Sequence, residues 1–219
     1  MSPPAASLAA RRRSGGRRRS SGRRRANGRR RLALLLTGAA VLAVGASLLA
    51  PLFRRAVNEL TLPLSYADII RQQAADKHLD PALVAAVIYA ETRFIPRPSS
   101  AGAQGLMQIM PQTAEFLARR SGATTFHISD LTTPEVNIAY GSYYLRYLLD
   151  EYGGSETLAL AAYNGGETNV TRWLESQRAG GHSLTVSDIP FPETRDYVLK
   201  VLQAQRDYRR AYPQQLGYG

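Results

Sequence analysis

Along the chain, apolar positions form one unbroken run and then a series of helical stripes. The 22 residues from Leu32 to Phe53 carry no charge, and as a helix they would reach roughly 33 Å at about 1.5 Å per residue. That matches a hydrocarbon core of about 30 Å, so the pattern predicts a membrane span. From residue 65 onward, apolar residues recur instead at three- and four-residue steps. They predict a helix over 65–78 with Ile69, Ile70 and Ala74 on one face, then one over 80–92. Further helices are expected from Pro111 to about Arg120, over 134–152, 157–162 and 167–177, and over 192–212 with Tyr197, Val198, Val201 and Leu202 inward. The punctuation agrees: Asp80 is a capping residue followed by Pro81, Pro111, Pro134 and Pro192 sit where helices open, and Gly122 and Gly153 where they stop. No two-residue alternation favours a sheet. The expected fold class is therefore all-α: one globular domain of six or seven helices after an N-terminal transmembrane helix.

The helix over 80–92 holds the chemistry of most interest. Val84, Val87 and Ile88 share a face, and continuing at the same steps brings Glu91 onto it. Burial and the negative end of the helix dipole would both raise the pKa of such a carboxyl. A carboxylic acid still protonated near neutral pH can act as a general acid. The competing reading is an ordinary Glu turned to solvent where the helix frays.

The residues that follow decide between the two. After Glu91 the chain reads T-R-F-I-P-R-P-S-S-A-G-A-Q-G-L-M-Q-I-M-P, in which Gly102 and Gly105 suit backbone that turns sharply and admits a ligand closely. Gln108 offers an amide and Met110 a polarisable apolar surface. With the later A-A-Y-N-G-G and I-P-F-P-E-T-R-D-Y-V segments, this signature resembles the soluble lytic transglycosylase (SLT) family of peptidoglycan-cleaving enzymes. The resemblance spans most of residues 65–212.

What it implies is specific. The fold would be lysozyme-like and α-rich, and no cofactor or metal would be needed. Glu91 would first protonate the glycosidic oxygen between N-acetylmuramic acid and N-acetylglucosamine. It would then act as base to close a 1,6-anhydromuramyl ring. Substrate would be bound by Ser99, Gln108, Met110, Tyr163, Asn164 and Glu193. The Tyr163 phenol, which sequence alone assigns equally to the core, is expected to hydrogen-bond the catalytic carboxyl. Glu193 lies in the first turn of its helix, where capping and groove-lining are compatible. The loop departs from the family pattern by one residue, so Ser99 or Ser100 could be the motif serine, and the ungapped glycine side prefers Ser99. Thr92 stands where Ser is commoner. The Asn137–Leu145 pattern is expected to be structural, Trp173 to pack, and His127 to be a surface or packing residue. A goose-type lysozyme-like hydrolase, or a non-catalytic wall-binding or nucleic-acid-binding protein, are the alternatives.

Charge changes the picture only at the N-terminus. The net charge of +11 suggests a nucleic-acid binder until it is divided: residues 1–53 hold 12 Arg and no acid, and the remaining 16 basic residues face 17 acids. The 12 Arg form triplets at 11, 17, 23 and 29 in a segment with almost nothing to bury, expected to be disordered. Polyanion attraction is one reading. Because an apolar span follows at once, the preferred one is topological: 1–31 stays cytoplasmic, near anionic lipid, with nucleic acid not expected as a partner. The apolar run exceeds the ~7–15 residues of a signal-peptide core, so an uncleaved single-pass plasma-membrane anchor at 32–53 is preferred to a cleaved signal. The expected plan is then a linker at 54–64, an extracytoplasmic domain at 65–212 acting on peptidoglycan glycan strands, and a polar tail at 213–219 without a motif. The domain is expected to be monomeric. The absence of Cys is neutral on location.

Overall fold

The computed structural model describes residues 45–47, 49, 50, 57, 61–179 and 184–218. The chain divides into two units, Met1–Arg55 and Ala56–Gly219. In the first, the described residues 45–47, 49 and 50 are helical. The rest of the expected span at 32–53, and all of the Arg-rich segment at 1–31, lie outside the described residues. No helix among those residues is long and apolar enough to cross a membrane.

The second unit contains seven described α-helices: α1 Ala67–Asp76, α2 Pro81–Thr92, α3 Pro111–Ser121, α4 Pro134–Glu151, α5 Glu156–Gly165, α6 Glu167–Ala179 and α7 Pro192–Ala211. No strand occurs among the described residues, apart from one isolated bridge between Gln104 and Ile109. The punctuation residues act as their chemistry requires. Asp80 accepts the Ala82 amide at 3.0 Å, four helices carry Pro in their first turn, and Gly122 closes α3 at φ 71°. Short 3₁₀ turns at Ile128–Thr132 and Val186–Asp188 precede α4 and α7. In the second, the Thr185 amide donates to the Asp188 carboxylate at 2.8 Å.

The core is built around α2. Its residues from Ala82 to Ile88 are buried on every side rather than on one face. A helix that is apolar all round has no solvent face to present, so it becomes the centre of the bundle. Its principal neighbour is α7, which buries Val198, Val201, Ala204 and Tyr208 in the same core. The other described helices close around this pair: α1 packs on α2 and α4, and α5 on α4, α6 and α7. Each fully buried aliphatic side chain contributes about 1.5–3 kcal/mol, so α2 supplies a large share of the domain's stability.

Residues 213–218 carry no motif yet are packed. Leu216 is buried, Gln215 O accepts from the Arg71 guanidinium at 2.7 Å, and the Tyr218 hydroxyl meets both the Asp80 carboxylate and the Ala82 amide. The end of the chain therefore secures the start of α2.

Candidate active site

Glu91 is the penultimate residue of α2 and is partly exposed, where most of the helix before it is buried. Beyond it the chain turns abruptly, with Arg93 at φ 52° and Phe94 at φ 63°, both left-handed. Burial of the Phe94 ring against Tyr208 offsets the strain of such a turn, about 1–3 kcal/mol per residue.

The segment that follows is held by backbone and side-chain bonds. Ser99 and Ala103 exchange two: the Ser99 amide donates to Ala103 O, and the Ala103 amide donates to Ser99 Oγ, each at 2.9 Å. Gln104 and Ile109 are joined by a reciprocal pair at 3.0 Å. Three side chains then fasten this loop to the bundle. Asn137 on α4 accepts the Met107 amide at 2.8 Å and donates to Gln104 O at 2.9 Å and Leu131 O at 3.0 Å. Thr92 donates to Leu106 O at 2.8 Å, and Tyr163 on α5 donates its hydroxyl to Met107 O at 2.8 Å. The two glycines at the seam have no alternative. A Cβ at Gly105 would lie 2.1 Å from Asn137 Nδ2, and one at Gly141 would lie 2.3 Å from Met107 Sδ. The N-I-x-x-G pattern on α4 is thus an anchor for the loop.

The loop and two distant helices enclose Glu91. Burial pushes its pKa up to about 7, opposed by the Tyr197 hydroxyl and then by the Lys200 ammonium. Tyr163 and Tyr197 both have buried hydroxyls raised well above the ordinary phenol range, by burial first and by the Glu91 charge second. Tyr197 Oη faces the Glu91 carboxyl outside normal hydrogen-bond geometry and has no other polar partner. Lys200 donates to Ala90 O at 2.7 Å, so a cation occupies the negative end of α2. Among the described residues, the groups that move Glu91 are a phenol and an ammonium, with no second carboxyl. Such a site can deliver a proton near neutral pH and take one back.

The sequence-predicted residues fall into two groups. Tyr163 lies within electrostatic reach of Glu91, but its proton goes to Met107 O, so the expected bond to the carboxyl is replaced by one that braces the loop. Gln108 turns back into the loop at φ 49°, donating to Arg97 O at 2.7 Å and Gly105 O at 2.8 Å. Ser99 organises the loop while Ser100 is exposed. Met110, Asn164 and Glu193 are exposed, with Glu193 in the first turn of α7. Trp173 is buried against Phe191, and His127 is exposed. Sequence reading missed Tyr197, which it assigned to the inward face of its helix, and Lys200. The available signal was spacing: Tyr197 stands one turn after Glu193, and Lys200 three residues further.

Comparison with known proteins follows the same lines. The family described as Transglycosylase SLT domain matches residues 68–185. The soluble lytic murein transglycosylase of Escherichia coli K12 is 34% identical over 154 residues, covering 69% of this chain and 24% of that protein. The membrane-bound lytic murein transglycosylase C of Edwardsiella ictaluri is 31% identical over 168 residues, covering 66% of this chain and 46% of its own. Among solved structures, the lytic transglycosylase Slt of Pseudomonas aeruginosa superposes with a TM-score of 0.65 at 31% identity, covering 70% of this chain and 25% of that one. This chain therefore spans about a quarter of the length of the soluble relatives.

Proposed function

The chain belongs to the Transglycosylase SLT domain family, and from that premise we propose that it is a membrane-anchored lytic transglycosylase acting on peptidoglycan. Glu91 is the catalytic residue: it protonates the glycosidic oxygen between N-acetylmuramic acid and N-acetylglucosamine while the muramyl acetamide oxygen supports the developing cation. Glu91, now a carboxylate, removes the proton from the muramyl 6-hydroxyl, whose oxygen attacks the anomeric carbon and closes the 1,6-anhydro ring. The proton delivered in the first step is thereby recovered, and water is not consumed. Hydrolytic glycosidases ordinarily use two carboxyls, whereas an internal nucleophile needs one. Effective molarities of about 10⁵ M or more favour the internal hydroxyl.

The observation that carries this reading is the partly buried Glu91, with its pKa near 7, enclosed by Tyr163, Tyr197 and the loop that Asn137 fastens. Ser99, Gln108, Met110, Tyr163, Asn164 and Glu193 are proposed to line the glycan site, with Tyr197 added as the group that holds the carboxylate form. The domain at 65–212 is proposed to lie outside the cytoplasm behind an anchor at 32–53. The 12 Arg ahead of that uncharged run support this, as does the name borne by membrane-bound relatives.

The test is product analysis. The full chain in mild detergent, incubated with intact sacculi, is expected to release muropeptides ending in the anhydro ring, each lighter by one water than the hydrolytic product. Glu91→Gln is expected to lose nearly all of that release while staying folded. Products with reducing ends would instead assign the hydrolase chemistry, and undiminished release by Glu91→Gln would remove the acid from its role.

A further inference from the structure

Charge is divided unevenly along the helical domain. Residues 56–199 hold 10 basic side chains against 16 acidic ones, whereas residues 200–211, the second half of α7, hold four against one. Leu199, Gln203, Arg206 and Arg210 are all exposed and advance by four, three and four residues, so they form one stripe along the helix, with Lys200 beside its start. The single acid, Asp207, is turned onto the Gln203 amide, which donates to its two oxygens at 3.0 and 3.1 Å, while Arg206 donates to Gln203 at 2.6 Å. Arg206 and Arg210 take part in no ion pair among the described residues. The negative end of α7 favours bases in its last turn, which holds Arg209 and Arg210. It gives no reason for Arg206, or for a Leu199 that is 52% exposed between charged neighbours.

The same half of α7 receives the incoming chain. Tyr212 donates to Leu62 O at 2.8 Å and Tyr208 donates to Pro63 O. Thr61 and Leu62 therefore lie along this part of the helix, where they share a groove with Gln203, Asp207 and Arg210. Thr61 follows Phe53, the last residue of the uncharged run, by eight residues, which is no more than about 28 Å of chain at about 3.5 Å per residue. Two of those residues, Arg54 and Arg55, are basic as well.

We propose that the exposed stripe of α7, Leu199, Gln203, Arg206 and Arg210, docks the domain on an anionic lipid surface. The assignment rests on the anchor at 32–53 given above and goes beyond it: the short tether limits how far the domain can travel, and the stripe decides which face it turns to the lipid. Each basic side chain held close to an anionic leaflet favours the docked state about fivefold. Arg206 and Arg210 supply that attraction, and Leu199 supplies an apolar group to set between headgroups. The acidic remainder of the domain is repelled from the same surface, so charge selects one orientation rather than mere proximity.

The chain has no Cys, so one introduced thiol carries a label at a known place. The full chain is reconstituted in nanodiscs whose lipids bear a spin label on the headgroup, with a fluorophore attached at Leu199→Cys or, for comparison, at Glu115→Cys. Glu115 is exposed on α3, which packs on α4. In discs of phosphatidylcholine mixed with phosphatidylglycerol, quenching at residue 199 is expected to exceed that at residue 115 about fivefold. It should fall to the level at residue 115 in discs of phosphatidylcholine alone, in high salt, and in the double variant Arg206→Gln/Arg210→Gln. That variant alters two exposed side chains outside the enclosure of Glu91 and is expected to cleave soluble glycan fragments at the wild-type rate, which establishes that it is folded. A chain that does not enter the discs would overturn the anchor, and the docking with it. Entry with equal quenching at both positions, or quenching at residue 199 indifferent to lipid charge and to both Arg side chains, would overturn the docking and leave the anchor standing.

Discussion

Replacing Glu91 by Gln removes an ionisation while nearly preserving shape, and its effect on stability depends on pH. The Glu91 pKa rises from 4.5 to about 7 on folding, because burial penalises the carboxylate. Across that window the folded protein keeps a proton that the unfolded chain has released, so wild-type stability falls as pH rises. Below the window both states are protonated and the penalty is absent; above it the ion is buried and the penalty is complete. At about 1.36 kcal/mol per pH unit the interval corresponds to about 3 kcal/mol. Some of the Glu91 side chain stays in solvent, which reduces the measured change to about 1–3 kcal/mol. Gln cannot ionise and escapes this loss. Denaturant unfolding of both proteins, followed through Trp173, should show Glu91→Gln gaining about 1–3 kcal/mol over the wild type between about pH 4 and about pH 8.5. A stability difference that is the same at both pH values would show that the carboxyl is as well solvated in the folded state as in the unfolded chain. The proton-delivery chemistry would then lose its basis. The same ionisation should make wild-type cleavage fall about tenfold per pH unit above about 7.

Two further outcomes follow from the enclosure. Tyr197→Phe removes a hydroxyl that favours the ionised form of Glu91, so the alkaline limb of the pH–rate profile is expected to move upward; an unmoved limb with lowered activity would assign Tyr197 to packing alone. Gly105→Ala places a methyl group 2.1 Å from Asn137 Nδ2 and 2.5 Å from Leu131 O at φ +73°, and is expected to cost about 3 kcal/mol or more, lowering Tm at about 2–4 °C per kcal/mol. Gly102→Ala, with φ +89° and open space around it, should carry only the backbone cost of about 1–2 kcal/mol and serves as the comparison.

The helix ends were legible because their causes are local. Asp80 and Pro81 open α2, Pro111 and Gly122 bound α3, and Pro192 opens α7, each through bonds or sterics within a few residues of the position itself. The glycine-rich segment after Glu91 was legible as a tight loop for the same reason. Residues whose roles depend on partners far along the chain were read less well. Thr92 was noted only as standing where Ser is commoner, yet it donates to Leu106 O, and the pattern opened by Asn137 was expected to be structural without its three bonds to the loop being foreseen. The α2 residues from Ala82 to Ile88 are apolar without a break and are buried on all sides, but periodicity cannot report which helices will supply the cover. The segment at 213–218 has no motif because its hold on α1 and α2 uses one buried Leu, one phenol and a backbone carbonyl.

The sequence by itself determined an all-helical domain, where most of its helices begin, and one acid placed at the end of its most apolar helix. Only the tertiary structure decided how that acid titrates. Its ionisation is governed by α7, which brings Tyr197 and Lys200 beside it, and by the packed loop and helices that strip water from it. Desolvation belongs to an assembled environment and not to any stretch of chain, so the pKa near 7 first exists when the helices close around Glu91.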